Sequence, residues 1–412
     1  MDPTPHMKSS PDAGGQLRFE AVASRLKQGG AALGVVALGV AVWLGMQAGD
    51  GGRRFFHAYL WAWAYFLSIG LGALFFVTLQ HLTRAGWSVV VRRIAEYLAA
   101  TLPVMALLFL PILVAMLQGN STLYSWVDPQ KVAADALLRG KSGYLNVTFF
   151  AIRFGIYALV WTTLSQLWLR QSLAQDSSGD VTITHRMQQQ SAPAMFVVAL
   201  SLTFCAFDTL MSLEPHWFST MFGVYFFAGS VLSFLATTII IARLLHDRGI
   251  VANVLTTEHF HDLGKLLFGF VFFWGYVAFS QYMLIWYANI PEETEWIIER
   301  KEGGWWPLSL ALLFGHFVLP FPGLISRHVK RHRVGLGFWA VFLLIMHAVD
   351  LYWLVMPSLH DPAGPRLGAM ELACWTGMLG LFVATFAFFA RGHALVPRQD
   401  PRLAESLAFE NA

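Results

Sequence analysis

The 412-residue chain is 56% hydrophobic and only 13% charged, with a formal net charge of +3. A soluble domain carries about 25% charged residues, so this composition belongs in lipid. The small net charge, without a basic run set among aromatics, excludes a nucleic-acid partner. The chain's two cysteines, Cys205 and Cys374, fall in apolar stretches and form no CxxC, CxxCH or zinc spacing. By itself the chain therefore holds no iron–sulfur cluster and no covalent c-type haem.

Residues 1–29 contain Pro, Gly, Ser and Lys but no apolar core, which argues against a cleaved signal peptide and predicts a short cytoplasmic tail. Ten windows follow, each near the ~20 apolar residues that a bilayer crossing needs: 30–48, 57–79, 94–117, 144–169, 190–213, 219–242, 263–289, 306–326, 336–356 and 368–390. Their runs are continuous and not alternating, which excludes a β-barrel. The expected fold is an all-α integral membrane protein of about ten transmembrane helices over residues 30–390, with a cytoplasmic tail at 391–412. The longest loops, 118–143 and 170–189, are too short to bury a core of their own.

Lysine and arginine set the expected orientation, because positive loops stay on the cytoplasmic side. The N-terminus, the C-terminus and the even-to-odd loops carry 18 such residues, and the opposite face carries 8. Both termini are therefore expected in the cytoplasm. The loop between spans 8 and 9, with Arg327, Lys330, Arg331 and Arg333, contributes most. On the other side, the loop between spans 7 and 8 carries Glu292, Glu293, Glu295, Glu299 and Glu302 against Arg300 and Lys301. It reads equally as a dock for a basic partner or as a solvated loop.

Ionisable groups at membrane depth are costly unless paired or hydrated, so each is a functional candidate. Span 4 carries Arg153, which needs an anion. Span 5 supplies Asp208 at similar depth, followed by Glu214, Pro215 and His216. If the helix continued, Asp208, Ser212 and His216 would share a face, although Pro215 is expected to end or kink it. The alternatives for this group are a structural ion pair between Arg153 and Asp208, a proton-transfer site, or a quinone-headgroup site. In span 9, His347 and Asp350 lie three apart on one face, and span 8 places His316 near mid-membrane before Pro320 and Pro322. Two intramembrane histidines with an aspartate suit a proton path, since imidazole titrates near operating pH. Near the cytoplasmic side, span 7 opens with His259, His261, Asp262 and Lys265, and Glu96 lies at the same level. Later in span 7, Ser280, Gln281, Tyr282 and Tyr287 interrupt an apolar run. A proton route is expected from His261, Asp262 and Lys265 through Gln281, Tyr282, His316 and His347 to Asp350. A transmembrane dihaem protein would need two pairs of facing histidines, and only His316 and His347 offer one.

Two runs are long enough to carry a resemblance. FDTLMSLEPHWFSTMFGVYFFAG, from Phe207 to Gly229, and HDLGKLLFGFVFFWGYVAFSQYMLIWYANIPEET, from His261 to Thr294, resemble the polysulfide-reductase-C/NrfD-type membrane proteins. More narrowly they resemble the F subunit of alternative complex III, a bacterial quinol:cytochrome c oxidoreductase. Length and span number fit along essentially the whole chain; Thr209 departs from the pattern, where Trp is expected after the aspartate. The resemblance implies two four-helix bundles, spans 2–5 and 6–9, flanked by spans 1 and 10. It implies partners: a companion C-type quinol-binding subunit, a periplasmic iron–sulfur subunit, c-type cytochrome subunits and, at a further remove, a terminal oxidase. Haem c and iron–sulfur clusters would sit in those partners, and quinol oxidation in the C subunit. This chain would be a structural paralogue with a role in proton translocation, its polar track at Asp208, Glu214 and His216 and at His261, Asp262, Lys265, Ser280, Gln281 and Tyr282. Direct quinol binding by this chain and secondary transport are the rival readings; transport lacks matching Gly/Pro-interrupted spans in two halves.

Overall fold

The computed structural model describes residues 13–302, 304–361 and 364–411. Among them, ten helices are long and apolar enough to cross a membrane, which makes the chain a multi-pass, all-α membrane protein. In chain order these are α1 (Ala13–Gln47), α2 (Arg53–Leu82), α3 (Val89–Leu117), α4 (Val147–Ser178), α5 (Val181–Thr209), α6 (Phe222–Asp247), α7 (Thr257–Ala288), α8 (Trp306–Ile325), α9 (Arg333–Val355) and α10 (Ala369–Ala390). Each coincides with one expected span. Residues 1–12 of the expected tail lie outside the described residues, whereas residues 13–29 already belong to α1. That stretch is rich in Ala, Leu, Gln, Arg and Lys, good helix formers that carry the helix past the apolar window.

Two sets of four helices, α2–α5 and α6–α9, pack side by side through their first members, and α1 pairs with α10 along the outside. The inner position of α2 shows in its burial: 89% of its apolar window is covered, against 22% for α1. Close approach depends on small residues, as in membrane helix pairs generally. A Cβ on Gly72 of α2 would fall 2.2 Å from the Ser230 carbonyl of α6, so only glycine fits at this crossing. Likewise a Cβ on Gly380 of α10 would fall 2.6 Å from the Gly30 carbonyl of α1. Large apolar side chains such as Val35, Phe204, Phe272, Phe279 and Phe338 remain exposed on the outer faces, as contact with lipid requires.

Helix α3 is broken into short pieces ahead of Pro103 and Pro111, whose rings cannot continue the hydrogen-bond ladder. Helix α8 widens between Leu313 and Val318, where the Leu319 amide donates to the Phe314 carbonyl at 2.8 Å, five residues back. Such π-type turns change which residues face inward. Pro320, which lacks an amide donor, follows at once.

The residues after α10 are not a loose tail. They cross the ends of α3, α4 and α7: Asp400 pairs with Arg92 at 2.6 Å, the Arg398 amide donates to Asp176 at 2.7 Å, and Ser406 donates to the Trp87 carbonyl at 2.7 Å. We call this side the C-terminal face and the other the opposite face.

Candidate functional site

At the centre of the second bundle, α9 presents His347 and Asp350 one turn apart, both almost wholly buried. The Gly72–Ser230 crossing brings α2 and α6 against them. Ser68 Oγ lies 2.9 Å from His347 Nε2 and 3.4 Å from Ser233 Oγ, so a hydroxyl pair continues the imidazole toward α6. Asp350 accepts from the Tyr225 hydroxyl of α6 on one oxygen and from the Trp274 indole of α7, at 3.1 Å, on the other. Among the described residues no cation pairs with this carboxyl. The widened turn of α8 directs His316 into the same interior, 3.9 Å from the Trp274 ring and 6.4 Å from the His347 ring, centre to centre. Both ring nitrogens of His316 and Nδ1 of His347 are buried without a hydrogen-bond partner among the described residues. Buried polar atoms are seldom left unsatisfied, so this group has spare capacity to bind water or a ligand. Gly229 makes room for it: a Cβ there would lie 2.9 Å from the His347 ring.

The first bundle holds a closed group instead. Arg153 donates to both oxygens of Asp208, at 2.8 and 3.0 Å, and Tyr157 adds a third bond at 2.7 Å. The remaining guanidinium nitrogen donates to the Tyr144 carbonyl at 3.0 Å, and the Tyr144 ring lies 3.8 Å away. This fork-to-fork ion pair leaves no carboxylate oxygen open to a ligand.

Helix α5 ends at Thr209, and a short turn over Met211–Leu213 redirects the chain, so the shared face of Asp208, Ser212 and His216 does not form. Ser212 bonds back to the Asp208 carbonyl, while exposed His216 meets Asp135, 2.6 Å away. That hydrogen bond from His216 holds the Asp135 carboxyl below its usual range. Glu214 turns toward Glu299 and His360, and one ligating atom from each of the three lies within 4.8 Å of the others. Burial and the neighbouring Glu299 raise the affinity of Glu214 for its proton. Arg300, next in the chain, is buried with its donors on the carbonyls of Trp296, Trp353 and Leu354. Desolvation lowers its pKa to about 10.

At the C-terminal face, Asp262 pairs with Lys265, which also donates to Asn411 at 2.6 Å. His261 beside them is buried, with Nδ1 unpartnered. Glu96 lies apart from this group, between Arg92 and Arg93 of α3 at 3.2 and 2.9 Å. Further along α7, Gln281 and Tyr282 fall between Trp274 and the opposite face, not between His261 and His316, so the expected order of groups along α7 is not the order in space. Gln281 is buried, Ser280 half-buried, and the exposed Tyr282 accepts from Lys301 at 2.9 Å. The hydroxyls between the C-terminal face and His347 come instead from α6 and α2: Thr238, whose Oγ1 is unpartnered, then Thr237, Ser233 and Ser68.

Gln281 and Tyr282 line a cavity of about 450 Å³ together with Tyr225, Trp274, Arg300 and Leu313. Sequence reading missed Tyr225 and Trp274 as partners of Asp350 because both sit among other aromatics of an apolar run. Their hydroxyl and indole N–H, which need buried acceptors, were the available signal.

No protein-family profile matches the chain. A protein of Nitratidesulfovibrio vulgaris (strain Hildenborough) is 25% identical over 210 residues, covering 50% of this chain and 49% of that protein. The chain thus spans about half the length of the curated relative it matches.

Proposed function

We propose that this chain is a membrane subunit of a respiratory quinol:cytochrome c oxidoreductase of the alternative complex III type, supporting its partners and contributing a transmembrane proton path. The observation that carries the path is the buried group of His316, His347 and Asp350, linked to the hydroxyls of Ser68, Ser233 and Tyr225. A carboxyl hydrogen-bonded only by neutral donors can take up and release a proton, whereas one clamped by a guanidinium is held ionised. Imidazole accepts on one nitrogen while donating from the other, which makes it a relay. Protons would enter from the cytoplasm near His261, Asp262 and Lys265, pass the hydroxyls of α6 and α2, and leave past Asp350 toward the periplasm. Ordered water would bridge the gaps. The companion C subunit, the iron–sulfur subunit and the c-type cytochromes would carry the electrons.

Two experiments test this. Affinity purification of the chain from native membranes should recover multihaem and iron–sulfur subunits; recovery alone, with full stability, would overturn the assignment to an electron-transfer complex. In vesicles containing that complex, His347→Phe and Asp350→Asn should lower the number of protons moved per electron while quinol oxidation continues. Unchanged stoichiometry in both variants would leave the chain a scaffold. The expected orientation is checked by labelling Glu292→Cys and Arg327→Cys in spheroplasts. Only position 292 should react from outside, and reaction of 327 alone would reverse the topology.

A further inference from the structure

We infer that Glu214, Glu299 and His360 form a binding site for a divalent transition-metal ion of the zinc type on the opposite face. The three residues come from the α5–α6, α7–α8 and α9–α10 connections, so one ion would tie together segments far apart in the chain. Their spacing is that of ligands. Zinc bonds to nitrogen and oxygen are about 2.0–2.2 Å long, which puts neighbouring ligand atoms of a tetrahedral site about 3.3–3.6 Å apart. His360 Nε2 lies 3.4 Å from Glu299 Oε1, and one ligand atom from each residue lies within 4.8 Å of the other two. Small rotations of half-buried Glu299 and exposed His360 close the remaining distance. The imidazole is also set in the right tautomer. His360 Nδ1 lies 2.8 Å from the Ser358 carbonyl, which can only accept, so Nδ1 carries the proton and Nε2 turns a bare lone pair to the carboxylates. Metal-binding histidines are oriented by such a contact.

Charge points the same way, because two carboxylates and a lone pair that face one another repel unless a cation lies between them. The protein supplies none at that place. Arg300 stands 3.8 Å from Glu299 and spends its nitrogens on the carbonyls of Trp296, Trp353 and Leu354. Glu214 Oε1 is wholly buried and has no hydrogen-bond partner among the described residues. An observation outside the cluster adds to these. His57 of α2 is 1% exposed, has Nδ1 on the Arg53 carbonyl at 2.8 Å, and keeps Nε2 buried without a partner among the described residues. It lies within electrostatic reach of His360, and Arg53 beside it donates to the same Ser358 carbonyl at 3.5 Å. A buried imidazole nitrogen with nothing to bond suits a fourth donor, to the ion directly or to a water on it. Carboxylates combined with imidazole select zinc and its neighbours over Mg²⁺ and Ca²⁺, which take oxygen ligands. The site requires neither the proton path nor a partner subunit.

The test uses the full-length chain as purified from membranes, stripped with EDTA and then given Zn²⁺, Mg²⁺ or Ca²⁺. Diethyl pyrocarbonate, which acylates free imidazole nitrogen, is read out by peptide mass spectrometry. Zn²⁺ at ten times its dissociation constant should slow the reaction of His360 about tenfold. His393, exposed on the C-terminal face and in no ion pair among the described residues, should react at an unchanged rate. Mg²⁺ and Ca²⁺ should not protect His360. Glu299→Gln, which removes a ligand from a half-buried position, should abolish the protection, and with it the rise in unfolding temperature that Zn²⁺ gives the wild type. Should this variant fail to assemble, the protection of His360 in the wild type still decides. Equal reaction of His360 with and without Zn²⁺ would overturn the site and leave His360 an imidazolium paired with Glu299. Protection by Ca²⁺ equal to that by Zn²⁺, or protection that survives Glu299→Gln, would overturn it as well.

Discussion

The last helix of each bundle carries a buried aspartate, and the two are held in opposite ways. Asp208 on α5 is locked by a two-bond contact with Arg153 and a third bond from Tyr157. Among the described residues, Asp350 on α9 receives only a phenol and an indole, and beside it three imidazole nitrogens find no partner. A carboxylate that has its cation contributes to holding helices together. One that lacks a cation contributes little to stability and is the better place for chemistry. The lesson is that membrane depth alone does not separate structural from functional charges; the partner does.

The largest effect expected from this contrast is at Asp208. Asp208→Asn leaves Arg153 buried and uncompensated and should cost about 3–5 kcal/mol, read as loss of folded protein in thermal unfolding in detergent. The double change with Arg153→Met should recover a large part of it. Equal destabilisation by the single and double changes would mean that the pair contributes nothing.

A second prediction concerns the crossing that joins the bundles. Gly72→Ala places a methyl against the Ser230 carbonyl, and such overpacking should cost about 1–3 kcal/mol. Because the same crossing sets Ser68 beside His347, it should also slow proton movement in vesicles. A variant with lower stability but unchanged proton movement would uncouple the crossing from the site.

Asp350→Asn should be milder, about 1 kcal/mol or less, since the amide oxygen still accepts from Tyr225 or Trp274. The same thermal measurement serves, and a loss comparable to that of Asp208→Asn would show a hidden cation and erase the contrast between bundles.

The smallest effect belongs to Glu214, whose carboxyl binds its proton more tightly when folded because of burial and Glu299. Between the ordinary glutamate range and that raised value the folded state holds more proton than the unfolded state, so stability should fall as pH rises. Glu214→Gln should flatten this slope in a pH series of unfolding measurements, and an unaltered slope would place its origin elsewhere.

The ten spans were legible because a bilayer demands long uninterrupted apolar runs, and nothing else in the chain imitates them. Arg153 with Asp208, and His347 with Asp350, were legible because charged residues at that depth are rare enough to be matched by level. Gln281 and Tyr282 were misplaced in order because position along one helix does not state which neighbouring helix lies alongside. Ser68 was invisible: its role follows from the Gly72–Ser230 contact, a pairing between α2 and α6 that no local pattern announces. The meeting of Glu214, Glu299 and His360 comes from three separate connections between spans, and no periodicity within one connection announces its neighbours. The C-terminal residues gave no hint of docking, since Arg92, which pairs with Asp400, and Trp87, whose carbonyl takes the Ser406 hydroxyl, lie about 300 residues earlier in the chain.

The pairing of α1 with α10 has a consequence for the order of synthesis. Gly30 and Gly380, which touch across that pair, are 350 residues apart in the chain. At about 5–20 residues per second, the ribosome delivers the second some 20–70 s after the first. Throughout that interval the glycine-bearing stripe of α1 faces lipid or a temporary protein neighbour. Helix α1 is thus made well before the partner that seats it, and insertion chaperones have a defined surface and a defined period in which to hold it.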